Sequence, residues 1–314
     1  MSTIDAHVHL YPAEINAEPK AWAEANGEPR WAALCVRRRK DGRAVQSFPT
    51  VEELLRKMDE AAVERAVLLG WYWENSANCE GQNRFYAKCV REHPDRLSAF
   101  ATVQPLVGGA AAVAELRRSR DEGLVGIGEL SPQAQGYGVE SESFRTVLAR
   151  AAEWGWPVNL HVTDPASGNY PGRVETPRSD FGRLARDWPG VRFILAHWGG
   201  GLAWENPAEM AALENVYYDT AASPLLYPAS VWSRGVGAAG AGRVIFGSDF
   251  PLNLYPRLEP EAEMRRVIAE ANASGLDQKS LAAILGENAE RMIAGKKRVA
   301  RGGVENLCVE PGRT

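Results

Sequence analysis

Residues 2–10 read Ser-Thr-Ile-Asp-Ala-His-Val-His-Leu, an apolar opening in which His7 and His9 stand two positions apart. In a strand, residues i and i+2 project from the same face, so both imidazoles reach one metal ion without unusual backbone geometry. Seven further short apolar runs follow, at 63–69, 97–103, 125–130, 157–161, 191–197, 215–220 and 243–249. Four of them end on or beside a group able to ligate metal: Glu129, His161, His197 and Asp249. Four of the chain's five histidines therefore occupy such positions.

Longer amphipathic stretches separate the runs. Thr50-Val-Glu-Glu53 has the form of a capping box ahead of Leu54, Leu55 and Met58. Phe144, Val147, Leu148 and Ala151 recur at helical spacing within 139–154, and helical segments are expected at 260–273, 277–285 and on to 293. Repeated strand–helix alternation favours parallel α/β architecture, and eight units favour a closed (β/α)8 barrel over an open sheet. One domain is expected over 1–295. Residues 12–49 form an insertion after strand one, with a hairpin around Lys40-Asp41-Gly42, placed to cap the metal end. A tail over 296–314 lacks periodicity.

Composition narrows the function classes. The chain has 314 residues, 45% of them hydrophobic, enough for a large core, and a net charge of -4 with scattered basic residues. The runs Arg37–Lys40 and Lys296–Arg298 read as solvated segments, so no nucleic-acid partner is expected. Cysteines at 35, 79, 89 and 308 form no CxxC and indicate neither a disulfide framework nor a thiolate zinc site. Cys79 and Cys89 are expected to flank a helix as core or partly buried thiols. With no targeting segment and no membrane-length apolar stretch, a cytoplasmic protein without a membrane partner is expected, and its helix faces are compatible with a homodimer.

Neutral imidazoles and carboxylates at strand ends suit Zn²⁺ or another divalent transition metal, one or two ions per chain. His7, His9, His161 and Asp249 can hold one ion and leave room for water, with Asp249 accepting the water proton. His197 can orient substrate, stabilise developing negative charge or ligate a second ion. Glu129, after Gly126-Ile-Gly128, either bridges two ions or orients a ligand imidazole. A bridge would place His161 and His197 on the second ion, leaving His7, His9 and Asp249 on the first.

Asp5-Ala-His-Val-His9, Leu160-His161, Ile194-Leu-Ala-His-Trp-Gly-Gly200 and Phe246-Gly-Ser-Asp-Phe-Pro251 together resemble the amidohydrolase superfamily. The nearest resemblance is to the amidohydrolase-2 group that includes aminocarboxymuconate-semialdehyde decarboxylase and related metal-dependent hydrolases, over about residues 3–293. The resemblance implies a TIM barrel with the His pair on strand one, His161 on strand five, His197 on strand six and Asp249 on strand eight. For one-metal members it implies His7, His9, His161 and Asp249 as ligands and His197 as catalytic. Gly128-Glu129 departs from the simple decarboxylase pattern and is similar to the strand-four glutamate of TatD-like and other two-metal hydrolases.

A small-molecule substrate is expected, with Trp71, Tyr72 and Trp73 after strand two as apolar walls and Trp198 extending them. Arg173 or Arg178, in the loop after His161, is a candidate for binding a substrate carboxylate. The leading expectation is a hydrolase of a small amide, lactone or ester through metal-activated water, with Asp249 and His197 catalytic. The alternative is nonoxidative decarboxylation of an aromatic or unsaturated carboxylic acid.

Overall fold

A computed structural model of the protein describes residues 2–294, so the tail expected at 296–314 lies outside the described residues. Eight strands form one parallel sheet in sequential order. They are β1 (Ile4–Val8), β2 (Arg65–Leu68), β3 (Leu97–Ala101), β4 (Gly126–Leu130), β5 (Val158–Leu160), β6 (Phe193–Leu195), β7 (Val216–Asp219) and β8 (Val244–Ile245). Hydrogen bonds from Ala6 N to Phe246 O, Asp249 N to His7 O and His9 N to Phe250 O join the β8 end to β1. The (β/α)8 TIM barrel expected from the alternation is the fold.

A parallel sheet is covered on both faces, which is why its strands are apolar at successive positions. Ala66 and Leu68 of β2 join a cluster with Leu54, Met58, Tyr86, Leu116, Val147 and Leu148 from the surrounding helices. Val67 joins a second cluster with Phe100, Ile194 and Ile245, packed against Ala289 and Met292 of the helix Asn288–Ile293. The period-two division of β2 thus supplies both layers.

The expected helix after the insertion spans Val51–Glu60 and begins with the capping box: Glu53 N donates to Thr50 Oγ1 at 3.2 Å and Thr50 N to Glu53 Oε2 at 2.8 Å. Such a cap stabilises a helix by about 1 kcal/mol. Cys79 and Cys89 do not flank a helix. Both are buried within the single helix Ser76–Glu92, which Asn75 caps by accepting from Ala77 N at 3.0 Å. No helix among the described residues is long and apolar enough to cross a membrane.

The insertion after β1 folds into short helices, Ala13–Ala17, Pro19–Asn26 and Pro29–Trp31, followed by a hairpin in which Arg38 pairs with Ala44. An aromatic cluster holds it to the barrel: Trp31 meets Tyr11, Trp22, Phe48 and Trp73 at centroid distances of 5.2 to 5.8 Å. Buried Glu28 accepts from Glu74 N, Asn75 N and Asn78 Nδ2, tying the insertion to the segment after β2.

Candidate active site

His7 lies inside β1 and Glu129 inside β4, whereas His161, His197 and Asp249 lie past the ends of β5, β6 and β8. The backbone there leaves extended geometry: His197, Trp198 and Asp249 have φ of 57°, 57° and 69°. Gly247 lets β8 approach β1 closely, since a Cβ at that position would sit 2.6 Å from His7 Cβ. Asp5 Oδ1 links the same two elements, accepting from His7 N at 3.2 Å and Ser248 N at 2.9 Å.

The six donors expected from sequence converge. His7 Nε2 and His9 Nε2 are 3.1 Å apart and lie 3.8 and 3.6 Å from Glu129 Oε2. Asp249 Oδ1 is 3.7 Å from each of these nitrogens. The other oxygen, Glu129 Oε1, is 3.0 Å from His161 Nδ1 and 3.7 Å from His197 Nε2. Two groups result, His7–His9–Glu129 and Glu129–His161–His197, sharing one carboxylate.

The tautomers fit a cation. Nδ1–H of His7 donates to Asp219 Oδ2 at 2.9 Å, that of His9 to Leu69 O at 3.0 Å and that of His197 to Ala221 O at 3.1 Å. With Nδ1 committed, each Nε2 faces the centre and is the atom that would ligate a metal. Burial, reinforced by neighbouring His7, lowers His9 to about 4; burial and neighbouring His161 lower His197 to about 4, so both are neutral at neutral pH. Burial by itself would lower His7, but Asp219, Glu129 and Asp249 outweigh it and raise it to about 10. Burial would likewise raise Glu129, but His161, His7 and His197 hold it far below the ordinary carboxylate range. Negative charge thus surrounds His7 in excess, and a divalent cation is the species that would neutralise it.

Above the donors opens a cavity of 390 Å³, bounded by barrel, insertion and the loop after β5. Trp71 and Tyr72 line it, stacked at 4.3 Å, with the Tyr72 ring 5.2 Å from that of His161. Three other expected substrate contacts do not line this cavity. Trp73 is fully buried in the insertion's aromatic cluster, its indole N–H donating to Gln82 Oε1. Trp198 is fully buried against Trp232 and Gly235, its indole N–H bonded to Ser223. Arg173 lines an adjoining 20 Å³ cavity that shares Tyr72, His161 and Tyr170 with the main one, and it pairs with Glu175, while Arg178 pairs with Glu205. Packing and an indole hydrogen bond commit each of the two tryptophans elsewhere.

Asp219 was missed as a site residue. It ends β7, and its carboxylate binds His7 and Asn159 Nδ2 through Oδ2 and accepts from His197 N and Ala221 N through Oδ1. The signal was present, an acidic residue closing an apolar run, as with the residues that were identified.

A parallel barrel with imidazoles and carboxylates converging at its strand C-termini has the architecture of a metal-dependent enzyme. The chain belongs to the amidohydrolase family, whose profile matches residues 4–294. No curated protein matches it. Solved structures share the fold at low identity. A 5-carboxyvanillate decarboxylase from Sphingomonas paucimobilis is 14% identical with a TM-score of 0.69, covering 94% of this chain and 99% of that one. A dihydroxybenzoic acid decarboxylase from a Polaromonas species, with bound manganese and the inhibitor 2-nitroresorcinol, is 16% identical with a TM-score of 0.64, covering 93% and 97%. A probable 2-pyrone-4,6-dicarboxylic acid hydrolase from Acinetobacter baumannii, with citric acid bound, is 17% identical with a TM-score of 0.62, covering 94% and 100%.

Proposed function

We propose that the chain is a nonoxidative decarboxylase of a small aromatic or unsaturated carboxylic acid, dependent on a divalent metal. The observation that carries this reading is the cavity itself. Its floor is made of imidazoles and carboxylates, and Trp71, Tyr72, Leu34, Val45, Leu225 and Leu252 give it aromatic and aliphatic walls. Such walls suit a flat ring and exclude water from the carbon that gains a proton. Similarity to the two decarboxylases named above supports the same reading, and it reverses the order of the two activities expected from sequence.

His7, His9, Glu129, His161, His197 and Asp249 are the residues that would hold metal, which when bound supplies positive charge to a substrate carboxylate or hydroxyl. The chain supplies the proton. Asp249 lines the cavity and can pass that proton to the carbon from which carbon dioxide departs. The exchange balances: the C–C bond pair stays on the ring carbon, the proton fills it, and carbon dioxide leaves neutral.

The test is product analysis in D2O with metal-replete protein and a panel of hydroxybenzoates and unsaturated acids. Carbon dioxide release, with one deuterium at the vacated carbon, is expected. Hydrolysis of lactones or amides with no carbon dioxide from any acid would sink the proposal. One observation favours that second reading: Glu129 offers one oxygen to each histidine group, the geometry of a carboxylate shared by two ions in a hydrolase. Incorporation of ¹⁸O from water into product would mark it.

A further inference from the structure

The run Arg37-Arg-Arg-Lys40, expected to be a solvated segment, is only half so. Arg38 and Lys40 are exposed, while Arg37 and Arg39 are partly buried and line the cavity, the alternation an extended arm imposes. The hairpin is fastened to the segment that follows Asp249 by a bridge between Gln46 and Leu252 and by hydrogen bonds from Asn253 N to Val45 O and Ser47 N to Pro251 O.

Neither arginine has a carboxylate partner among the described residues. Arg37 Nε donates to Leu34 O at 3.1 Å and its guanidinium lies 5.0 Å from the Tyr170 ring centroid, which fixes the side chain but leaves its two terminal nitrogens without an acceptor. Arg39 Nη2 donates to Asn253 O at 2.9 Å, and its buried Nε has no acceptor. Gln46 Nε2 is another buried donor without an acceptor, and Gln46 lines the same cavity. Buried donors left unpaired, as Arg39 Nε and Gln46 Nε2 are among the described residues, are costly, and an anionic group carrying several acceptor oxygens removes that cost. Guanidinium forks match carboxylate geometry.

We propose that Arg37 and Arg39, with Gln46, form an anion subsite in the insertion that binds a second acidic group of the substrate. The substrate is then a small dianionic acid, with one carboxylate toward the histidines and the other against the hairpin. The assignment rests on the carboxylic-acid substrate proposed above, and its test reads binding rather than turnover.

Isophthalate and benzoate share a ring and differ by one carboxylate. Titration calorimetry on the full-length, metal-replete protein should show isophthalate binding about tenfold or more tighter than benzoate. Arg37→Gln and the double variant R37Q/R39Q should abolish that preference, and R38Q, on the exposed side, should retain it. Arg39 also holds the backbone of the hairpin, so if the double variant misfolds, R37Q alone decides, because its single protein hydrogen bond is to Leu34 O. Equal affinities in the wild type, or a preference that survives R37Q, overturns the subsite. Absence of carbon dioxide release with the isophthalate preference intact would remove the decarboxylase and leave the subsite standing.

Discussion

The two halves of the barrel hold their functional groups by different means. Strands β1 to β4 run for 5, 4, 5 and 5 residues, whereas β5 to β8 run for only 3, 3, 4 and 2. In the first half, His7 and Glu129 lie inside strands, at the register shifts of β1 against β2 and of β4 against β5. In the second, the chain leaves the ladder early, and His161, His197 and Asp249 are placed by side-chain hydrogen bonds and left-handed backbone. Asp219 spans the division, gripping the His7 ring with one oxygen and the His197 backbone with the other. A centre built this way takes its rigidity from the long strands and its closure from one buried carboxylate.

The largest expected effect tests whether the halves meet at Glu129. Glu129→Gln removes the charge shared by both histidine groups, so metal affinity should fall by more than about 100-fold, beyond the range usual for residues that only orient a ligand. Chelator competition followed by elemental analysis measures it. Retention of metal at wild-type affinity would show that each half holds its cation alone. Next in size is Asp219→Asn, which should weaken metal binding by about 10- to 100-fold while the barrel still folds. Its mark is graded: imidazole NMR signals of His7 and His197 should shift more than those of His9, whose Nδ1–H is held by Leu69 O.

The difference between the halves also explains what the sequence made legible. All eight strands were readable because a parallel barrel makes its strands apolar on both faces, and the donors were readable because they close those runs. The extent of β8 was not, since 243–249 reads as one continuous run. Beyond Ile245, Gly247 bonds to the Thr220 side chain and Ser248 to Asp5, contacts invisible without the fold. The aromatic trio at 71–73 was legible as a feature, but the irregular backbone past the end of β2 puts Trp71 and Tyr72 on the cavity wall and Trp73 in the insertion's cluster. Nothing local to Arg37 and Arg39 distinguished them from Arg38 and Lys40, because the hairpin's attachment after β8 decides which side faces inward.

A pH series on chelator-treated protein separates the raised groups, one in each half, from the lowered groups, also one in each half. His7, raised from 6.5 to about 10, contributes stability that is fully present below pH 6.5 and lost as pH rises through about 10. Asp249, raised from 3.8 to about 8, loses its contribution in the same direction, as pH climbs from about 4 through about 8. His9 and His197, lowered from 6.5 to about 4, contribute above pH 6.5 and lose that contribution as pH falls through about 4. The melting temperature of metal-free protein should therefore fall between pH 7 and pH 10, by about 2 °C or more if 1 kcal/mol is lost. Metal-replete protein should be flatter over that interval, because the cation replaces the protons. Parallel profiles with and without metal would break the link between the raised groups and the cation.

The smallest effect probes the first half where it is most self-sufficient. Thr50→Ala removes the side-chain acceptor for Glu53 N at the start of the helix Val51–Glu60, whose Leu54 and Met58 pack beneath the barrel. The loss should be about 1 kcal/mol of stability, read from denaturant midpoints at unchanged slope. Metal affinity should not move, because His7 and His9 are placed by hydrogen bonds to the β8 segment and by Asp219 and Leu69, none of which involves this helix. A cap variant that loosened the metal as much as Asp219→Asn does would mean that the first half is held by its helices rather than its ladder, and the contrast between the halves would fail.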